Sequence, residues 1–251
     1  MPQTSSQKMI EPANTTVFIL AAGRGKRMMP LTSRQPKPLL KVGKLSLIEH
    51  HIQYLSTLGF KDFVINVAYL GNKIMQALGN GNRWGVRINY SNEQKTGALE
   101  TAGGIHNALD IINSEHFLCL NADIWTDFDF TELLSYFNKQ SEQNASSAIV
   151  LVNNPKHNIK GDFCMDKSNR MACRRDTFDT NTPEYKSYTF SGIGLYTKQN
   201  FIHLTPGKHA LAPLLRNWCD RKTLLGFVFQ GQWYDIGTPA RLKEINQALC
   251  S

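Results

Sequence analysis

The stretch Val17-Phe-Ile-Leu-Ala-Ala-Gly-Arg-Gly25, followed by Lys26-Arg27-Met28, decides the fold. Its four apolar residues from Val17 to Leu20 predict a buried strand. The small residues that follow let the backbone turn sharply and approach a ligand, and successive backbone N–H groups in such a turn form an anion-binding concavity. This turn and the next dozen residues carry several cations, among them Arg24, Lys26, Arg27 and Lys37. The pattern therefore predicts a phosphate-binding loop at the end of a strand.

Two well-known phosphate loops do not fit this stretch. The dinucleotide-binding fingerprint G-x-G-x-x-G has its first two glycines at Gly23 and Gly25, but Met28 stands where the third belongs. The P-loop pattern G-x-x-x-x-G-K-[ST] occurs nowhere in the chain. The glycines alone would also fit a basic surface turn, so the rest of the motif has to carry the interpretation.

The whole stretch resembles the signature of the sugar-1-phosphate nucleotidyltransferases. The matching residues are Gly23-x-Gly25-x-Arg27-Met28-x-Pro30-Leu31-Thr32 and Pro36-Lys37-Pro38, and later motifs follow in order at 99–104, 121–123 and 233–238. Such enzymes join a nucleoside triphosphate to a sugar 1-phosphate and release pyrophosphate. Within the family the chain looks most similar to the N-acetylmuramate-1-phosphate uridylyltransferases of peptidoglycan recycling. The short length supports this similarity, as do the segments 100–104, 123–127, 161–163 and 190–193.

Strand and helix patterns alternate through the first half of the chain. Strands are predicted at 17–20, 63–67, 86–90 and 117–120, and helices at 47–58, 69–78 and 101–109. Such alternation indicates a mostly parallel, doubly wound α/β sheet, and the resemblance implies a Rossmann-like nucleotidyltransferase fold. Ligands bind at the carboxyl ends of such strands, where Gly23, Glu93 and Asp123 are expected.

The second half has a mixed pattern. Strands are predicted at 148–152, 188–196 and 224–229, helices at 210–219 and 239–249, and a polar hairpin or excursion at 162–182 that lines the sugar pocket. We expect a loose N-terminal extension over 1–14 and one domain over 15–251. Its nucleotide half covers about 15–130 and its sugar half, with mixed strands, about 131–251.

Composition narrows the possible partners and location. The net charge of +8 comes from dispersed basic residues without an aromatic-and-basic repeat, which favours small phosphorylated substrates over nucleic acid. No apolar run reaches the ~18 residues that a membrane span needs. The five cysteines form no C-x-x-C pair, so we expect reduced thiols in a cytoplasmic protein.

Arg27 and Lys37 are the predicted catalytic residues. In nucleotidyl transfer the attacking phosphate is already largely ionised at neutral pH, so the site needs cations rather than a general base. The guanidinium fork of Arg27 suits a triphosphate, and the compact charge of Lys37, held between two prolines, suits the gap between the two reacting phosphates. The alternative for Lys37 is an ordinary solvated loop lysine.

Asp123 and Asp235 are the predicted metal ligands. Asp123 follows a predicted strand, where an aspartate can also simply close a turn or cap a helix. Asp235 lies within the motif at 233–238, at another strand-to-turn junction. The family resemblance gives both the role of holding Mg²⁺, which binds one or two carboxylates together with substrate phosphates.

The remaining nucleotide contacts are expected in two parts of the chain, the phosphate loop and the glycine-rich segment at 101–104. The phosphate loop contributes Leu20, Ala21, Ala22, Gly23 and Gly25. The resemblance makes Thr101, Ala102, Gly103 and Gly104 the wall for the uracil base, and Glu93 also faces the base. Close packing of a glycine-rich helix on the sheet is the alternative for that wall. The thymidylyltransferase branch typically has a glutamine near position 103, which this chain lacks.

The resemblance places the sugar against Gly161, Asp162, Ser191 and Gly192, which could also be ordinary turn residues. Many relatives hold the sugar phosphate with the lysine of a Glu-Lys-Pro motif. This chain lacks that motif, so Arg174 or Arg175 is the candidate replacement.

The expected reaction is Mg²⁺-dependent transfer of UMP from UTP to N-acetylmuramate 1-phosphate. The alternatives are a mannose-1-phosphate guanylyltransferase, a glucose-1-phosphate uridylyl- or thymidylyltransferase, and a non-catalytic sugar-nucleotide sensor. The presence of Lys37 and both aspartates favours catalysis over sensing.

Overall fold

The strand predicted at the start of the motif lies in the middle of the central sheet. The computed structural model describes residues 9–140, 145–167, 171–173 and 185–249. β1 (Thr16–Leu20) lies between two parallel neighbours, and a further parallel strand extends the sheet on one side. These neighbours are β4 (Asp62–Val67), β6 (His116–Asn121) and β5 (Arg87–Asn92), in the order β6-β1-β4-β5.

Beyond β6 the sheet becomes mixed. β11 (Tyr185–Thr197) is antiparallel to β6 and pairs next with β8 (Ser147–Val152), which in turn is parallel to β12 (Leu224–Phe229). The first residues of β11 pair instead with β9 (Phe163–Asp166), and β10 (Met171–Cys173) pairs antiparallel with β9. The predicted hairpin at 162–182 therefore begins as the β9–β10 pair, and its residues 168–170 and 174–182 lie outside the described residues.

Helices cover both faces of the sheet, because successive residues of its strands alternate between two apolar cores. Val17 and Ile19 of β1 point into one core and Phe18 into the other. The first core packs against α1 (Leu47–Thr57), α2 (Gly71–Leu78) and α4 (Phe130–Gln140). The second packs against α3 (Glu100–Asn107) and α5 (Leu211–Asp220). The predicted doubly wound, mainly parallel α/β fold is confirmed.

Helix α4 and two short antiparallel ribbons were not predicted. The ribbons join β2 (Lys41–Val42) to β3 (Leu45–Ser46) and β7 (Ile124–Thr126) to β13 (Trp233–Asp235). The closing helix, α6 (Pro239–Ala248), was predicted. Strands of two or three residues carry too few side chains to show an alternation, which is why periodicity misses them.

The N-terminal segment differs from the loose extension predicted over 1–14. Its described part holds a single 3-10 turn at Pro12–Asn14. The side-chain amide of Asn138 on α4 accepts from the backbone N–H of Ile10 at 3.1 Å and donates to its carbonyl at 2.8 Å. These two bonds attach residues 9–14 to α4, and residues 1–8 lie outside the described residues.

Candidate active site

The carboxyl ends of the parallel strands open into a cleft of about 400 Å³. The strand register sets Leu20, the last residue of β1, beside Asn66 of β4 and Asn121 of β6, so the loops after these strands begin at one level. Most of the predicted nucleotide, catalytic and metal residues line this cleft: Leu20, Ala21, Ala22, Gly23, Gly25, Arg27, Lys37, Glu93, Thr101 and Asp123.

Gly25 brings the phosphate loop against the segment that carries Lys37. It adopts a left-handed conformation with φ of 60°. A Cβ on Gly25 would lie 3.1 Å from the Thr32 methyl carbon and 3.2 Å from Cβ of Lys37, so a side chain has little room there. The hydroxyl of Thr32 also donates to the Gly25 carbonyl at 2.9 Å. The two halves of the sequence motif therefore fold onto each other.

Lys37 is a buried cation that faces a predicted metal ligand. It lies in a 3-10 turn at Lys37–Leu39 and is only 8% exposed. Its Nζ donates to Oδ2 of Asp123, whose side chain is 35% exposed. Lys37 is therefore not the solvated loop lysine that was the alternative, because the fold holds its charge inside the cleft.

The two predicted metal ligands lie at one end of the small β7–β13 ribbon, with Asp123 in the turn just before β7 and Asp235 as the last residue of β13. Asp235 of β13 stands opposite Ile124 of β7, and the backbone N–H of Ile236 donates to the Asp123 carbonyl at 2.9 Å. A Cβ on Gly237 would lie 3.3 Å from both Asp235 Oδ1 and a guanidinium nitrogen of Arg27. This ribbon joins distant parts of the sequence and brings Asp235 up behind the wall of the cleft that Arg27, Asp123 and Gly237 line.

Asp235 is further contacted by two residues that sequence reasoning missed. Arg241 of α6 donates to its Oδ2, and Nε2 of His157 lies 3.3 Å from the same oxygen. The signal for Arg241 was its position in the first turn of a helix that directly follows the Trp233–Thr238 motif. His157 lies in a polar loop after β8 and had no comparable signal.

The donor set on this wall suits a hard divalent cation. Within the described residues no group of three or more histidine, cysteine, aspartate or glutamate side chains could hold a metal by itself. Two carboxylates beside a phosphate-binding loop are, however, the ligands that Mg²⁺ takes when substrate phosphates complete its shell. Asp123 and Asp235 therefore fit such an ion in the presence of a triphosphate.

Glu93 is structural as well as part of the cleft lining. It is 1% exposed, and its two oxygens accept from Asn66 Nδ2 at 2.8 Å and from the Leu99 backbone N–H at 2.9 Å. Asn66 in turn accepts from the Ala21 backbone N–H at 2.7 Å. Burial raises the pKa of Glu93 against the lowering effect of these hydrogen bonds. The chain Ala21–Asn66–Glu93–Leu99 ties the phosphate loop to the opposite wall.

The glycine-rich start of α3 lies mostly behind the cleft surface. Ala102, Gly103 and Gly104 are buried and, unlike Thr101 and Glu100, do not line the cleft. A Cβ on Gly103 would come within 2.2 Å of the Gly207 carbonyl oxygen, and one on Gly104 within 2.8 Å of both Asn66 and Glu93. The geometry of these three residues therefore matches the close-packing alternative. Glu100, which does line the cleft, has a left-handed backbone conformation with φ of 61°, which is strained for a residue other than glycine.

The four predicted sugar residues lie near β11 in different settings. Asp162 accepts from the Phe190 backbone N–H at 2.9 Å, and Ser191 is 1% exposed with its hydroxyl accepting from the Ile193 N–H at 3.2 Å. Gly161 makes a left-handed turn against Asn154 and Tyr188, while Gly192 lines a second pocket. Arg174 and Arg175 lie outside the described residues.

Sequence comparison finds a matching family and relatives that align with most of this chain. The profile of the nucleotidyl transferase family matches residues 16–171. An N-acetylmuramate alpha-1-phosphate uridylyltransferase of Neisseria meningitidis serogroup B is 43% identical over 90% of this chain and 95% of that protein. A mannose-1-phosphate guanyltransferase of Yarrowia lipolytica is 29% identical over 88% of this chain but only 60% of its own length.

Solved structures share the fold at low identity. A putative glucose-1-phosphate thymidylyltransferase from Bacillus anthracis, in complex with sucrose, aligns with a TM-score of 0.75 and 22% identity over 93% of this chain and 94% of that one. HddC from Yersinia pseudotuberculosis, complexed with GMP-PN, aligns with a TM-score of 0.73 and 18% identity over 94% and 99%. Across the described residues, no helix has the length and apolar character that crossing a membrane requires.

Proposed function

The chain belongs to the nucleotidyl transferase family, and we propose that it transfers UMP from UTP to N-acetylmuramate 1-phosphate, giving UDP-N-acetylmuramate and pyrophosphate. The observation that carries the reaction type is the meeting of Arg27, Lys37 and Asp123 in the cleft at the carboxyl ends of the parallel strands, with Asp235 close behind Gly237. The choice of substrates rests on the 43% identity to a uridylyltransferase that acts on N-acetylmuramate 1-phosphate.

The reaction joins two anions, so charge neutralisation decides the rate. An oxygen of the sugar phosphate attacks the α-phosphorus of UTP, and the bond to the β-phosphate oxygen breaks as pyrophosphate leaves. No general base is needed, because a phosphate monoester with a second pKa near 6 is already mostly dianionic at neutral pH. The protein has to hold the two phosphates in line and stabilise the charge that develops on the leaving group.

Each residue of the cleft has a distinct part in this scheme. The backbone N–H groups of the loop at 21–25 and the guanidinium of Arg27 bind the triphosphate. Asp123 and Asp235 would hold Mg²⁺, which would supply further positive charge to the phosphates. Lys37 then lies beside the α-phosphate, where the negative charge of both substrates is most concentrated.

The proposed reaction uses small phosphorylated metabolites, and we place it in the cytoplasm. The side chains of Cys119, Cys164 and Cys219 are buried, and the sequence has no C-x-x-C pair, in keeping with a reducing compartment. A guanylyltransferase acting on mannose 1-phosphate is the second candidate, because relatives with that activity match 88% of the chain.

A matrix of activities separates these candidates. Purified protein with Mg²⁺ is incubated with each of UTP, dTTP, GTP and ATP against N-acetylmuramate, N-acetylglucosamine, glucose and mannose 1-phosphates, and pyrophosphate release is measured. We expect the highest kcat/KM for UTP with N-acetylmuramate 1-phosphate. A maximum at GTP with mannose 1-phosphate supports the second candidate, and no release with any pair contradicts catalysis.

A further inference from the structure

A second pocket of about 450 Å³ adjoins the catalytic cleft. It shares Leu20, Glu100, Thr101 and Asn121 with that cleft and extends between the sheet and the start of α5. Its wall includes Gly192, one of the residues predicted to contact the sugar. Because the two spaces share these four lining residues, a sugar phosphate in the cleft lies next to the second pocket.

The inner end of this pocket holds a buried hydroxyl. Tyr196 of β11 is 1% exposed, and among the described residues its hydroxyl has no hydrogen-bond partner. A Cβ on Gly194 would lie 2.3 Å from that hydroxyl oxygen, so the ring runs back along the strand over a glycine. The pairing of β11 is irregular between Phe190 and Gly194, and Gly192 and Tyr196 both line the pocket. The hydroxyl lies over Gly194, between Tyr196 and Gly192 along the strand.

The surroundings of this hydroxyl are apolar and uncharged. The strand register sets Gly194 beside Cys119 of β6, another lining residue, and burial raises the pKa of the Cys119 thiol, which keeps it neutral. Leu211 and Leu215 of α5 complete the wall. Among the described residues that line the pocket, none is positively charged. Glu100, on the side shared with the cleft, is the only charged residue among them.

The unpartnered hydroxyl and the apolar wall limit the kind of chemical group that this pocket can bind. A buried hydroxyl without a partner costs free energy, and a ligand acceptor would remove that cost. Without a cation the pocket does not suit a phosphate or a carboxylate. A small neutral group that has a carbonyl oxygen and a methyl fits both the hydroxyl and the apolar wall.

We propose that the second pocket binds the acetamido group of an N-acetylated hexose 1-phosphate, with the acetamido carbonyl accepting from the Tyr196 hydroxyl and the methyl packing against Cys119 and Leu215. This inference rests on the proposed function, because it assumes a sugar phosphate in the adjoining cleft. It adds to that function a residue, Tyr196, that recognises the N-acyl substituent.

The test compares three sugar phosphates on Tyr196→Phe and on the unaltered protein. The sugars are N-acetylmuramate, N-acetylglucosamine and glucose 1-phosphates, and the readouts are Kd by calorimetry and kcat/KM with UTP. We expect about a tenfold loss for both acetylated sugars, the size of one buried hydrogen bond, and no change for glucose 1-phosphate or for KM of UTP. The fold should be unaffected, since within the described part of the chain the lost hydroxyl has no hydrogen-bond partner.

Two further variants make the test selective. Tyr136→Phe removes a hydroxyl that donates to the Gly226 carbonyl from α4, away from the pocket, and should leave all three sugars unchanged. Ala212→Leu adds volume at the exposed rim of the pocket. It should weaken the binding of the two acetylated sugar phosphates more than the binding of glucose 1-phosphate.

The outcomes separate this proposal from the proposed function. If N-acetylmuramate 1-phosphate is not a substrate but N-acetylglucosamine 1-phosphate loses affinity on Tyr196→Phe, the substrate assignment fails and the acetamido pocket stands. A loss shared equally by glucose 1-phosphate, or no loss for any sugar, overturns the acetamido pocket, whichever sugar phosphate the unaltered protein prefers.

Discussion

Lys37 and Asp123 form an ion pair in the lining of the cleft. A nearly buried lysine needs a counter-charge, and in the structure Asp123 provides it. The contact holds the end of the Lys37 side chain beside Asp123, within the cleft where the substrate phosphates are proposed to bind.

The first prediction concerns this lysine. We expect Lys37→Ala to lower kcat about 10²- to 10³-fold, because it removes a preorganised cation from the place where transition-state charge develops. The loss of unfolding free energy should be small, since Asp123 keeps partial access to water. Steady-state kinetics and a chemical denaturation curve measure the two effects. Lys41→Ala, an exposed residue at the end of the same segment, is the control, and near-normal turnover of Lys37→Ala would contradict the assignment.

The second prediction concerns the two carboxylates. Asp123→Asn and Asp235→Asn should each raise the Mg²⁺ concentration needed for half-maximal activity and lower the rate at limiting Mg²⁺. An amide keeps the shape of the side chain but loses the charge that a hard cation binds. A Mg²⁺ titration of activity measures the shift, with the exposed Asp110→Asn as control. A variant that keeps full activity at limiting Mg²⁺ excludes that aspartate as a ligand.

At the level of elements, helix α3 shows where sequence reasoning succeeds and where it stops. The position of the helix and its glycine-rich start were predictable from composition and spacing. Whether those glycines face a ligand or another backbone was not, because the answer depends on the segment at Gly207–His209, a hundred residues away. The backbone N–H groups of Ala102 and Gly103 both donate to the His209 carbonyl, and no local pattern encodes that contact.

Gly103→Ala tests this packing. The added Cβ would lie 2.2 Å from the Gly207 carbonyl oxygen and 3.0 Å from the His209 nitrogen, so backbone must shift. We expect a loss of about 1–3 kcal/mol in unfolding free energy, the usual cost of overpacking. Gly23→Ala is the matched control, since its Cβ would meet nothing within 4 Å. Equal stability of the two variants in denaturant titrations would contradict the prediction, because it would show that the segment at 207–209 shifts at little cost in free energy.

Helix α1 gives a pH-dependent prediction. Burial lowers the pKa of His51 to about 4, and its Nε2 lies 2.9 Å from the Ile124 carbonyl, which requires the neutral ring to donate there. Between pH 6.5 and about 4 the unfolded chain takes up a proton at this residue and the folded protein does not. The contribution of His51 to stability is therefore full above pH 6.5 and is lost as pH falls toward 4.

The measurement is unfolding free energy across that pH range in the unaltered protein and in His51→Gln. The glutamine amide can still donate to Ile124 but does not titrate, so the slope between pH 6.5 and 4 should flatten. His203→Gln, at an exposed position, serves as control and should keep the original slope. Identical slopes for the unaltered protein and His51→Gln would assign the acid sensitivity to other groups.

At the scale of the whole molecule, the parallel sheet explains why the catalytic cleft was largely predictable. The carboxyl ends of parallel strands meet at one edge, so residues just after strands 17–20 and 117–120 had to converge. The second pocket was not predictable, because it depends on the long strand β11 bending across β6, β8 and β9 and on Tyr196 lying over Gly194. Pairing between strands so distant in sequence has no local signal.

The last prediction concerns selectivity across the whole substrate. N-acetylmuramate 1-phosphate differs from N-acetylglucosamine 1-phosphate by a lactyl group, whose carboxylate needs a cation or backbone donors once it leaves water. We expect these donors from residues 160–175, which include Arg174 and Arg175. Removing the lactyl group should then cost about 1–3 kcal/mol of transition-state binding, or roughly 5- to 150-fold in kcat/KM with UTP. UTP should also be preferred over dTTP and GTP with either sugar. Equal kcat/KM for the two sugar phosphates would refute the muramate assignment and leave nucleotidyl transfer intact, because Arg27, Lys37 and the two aspartates act on phosphates common to both.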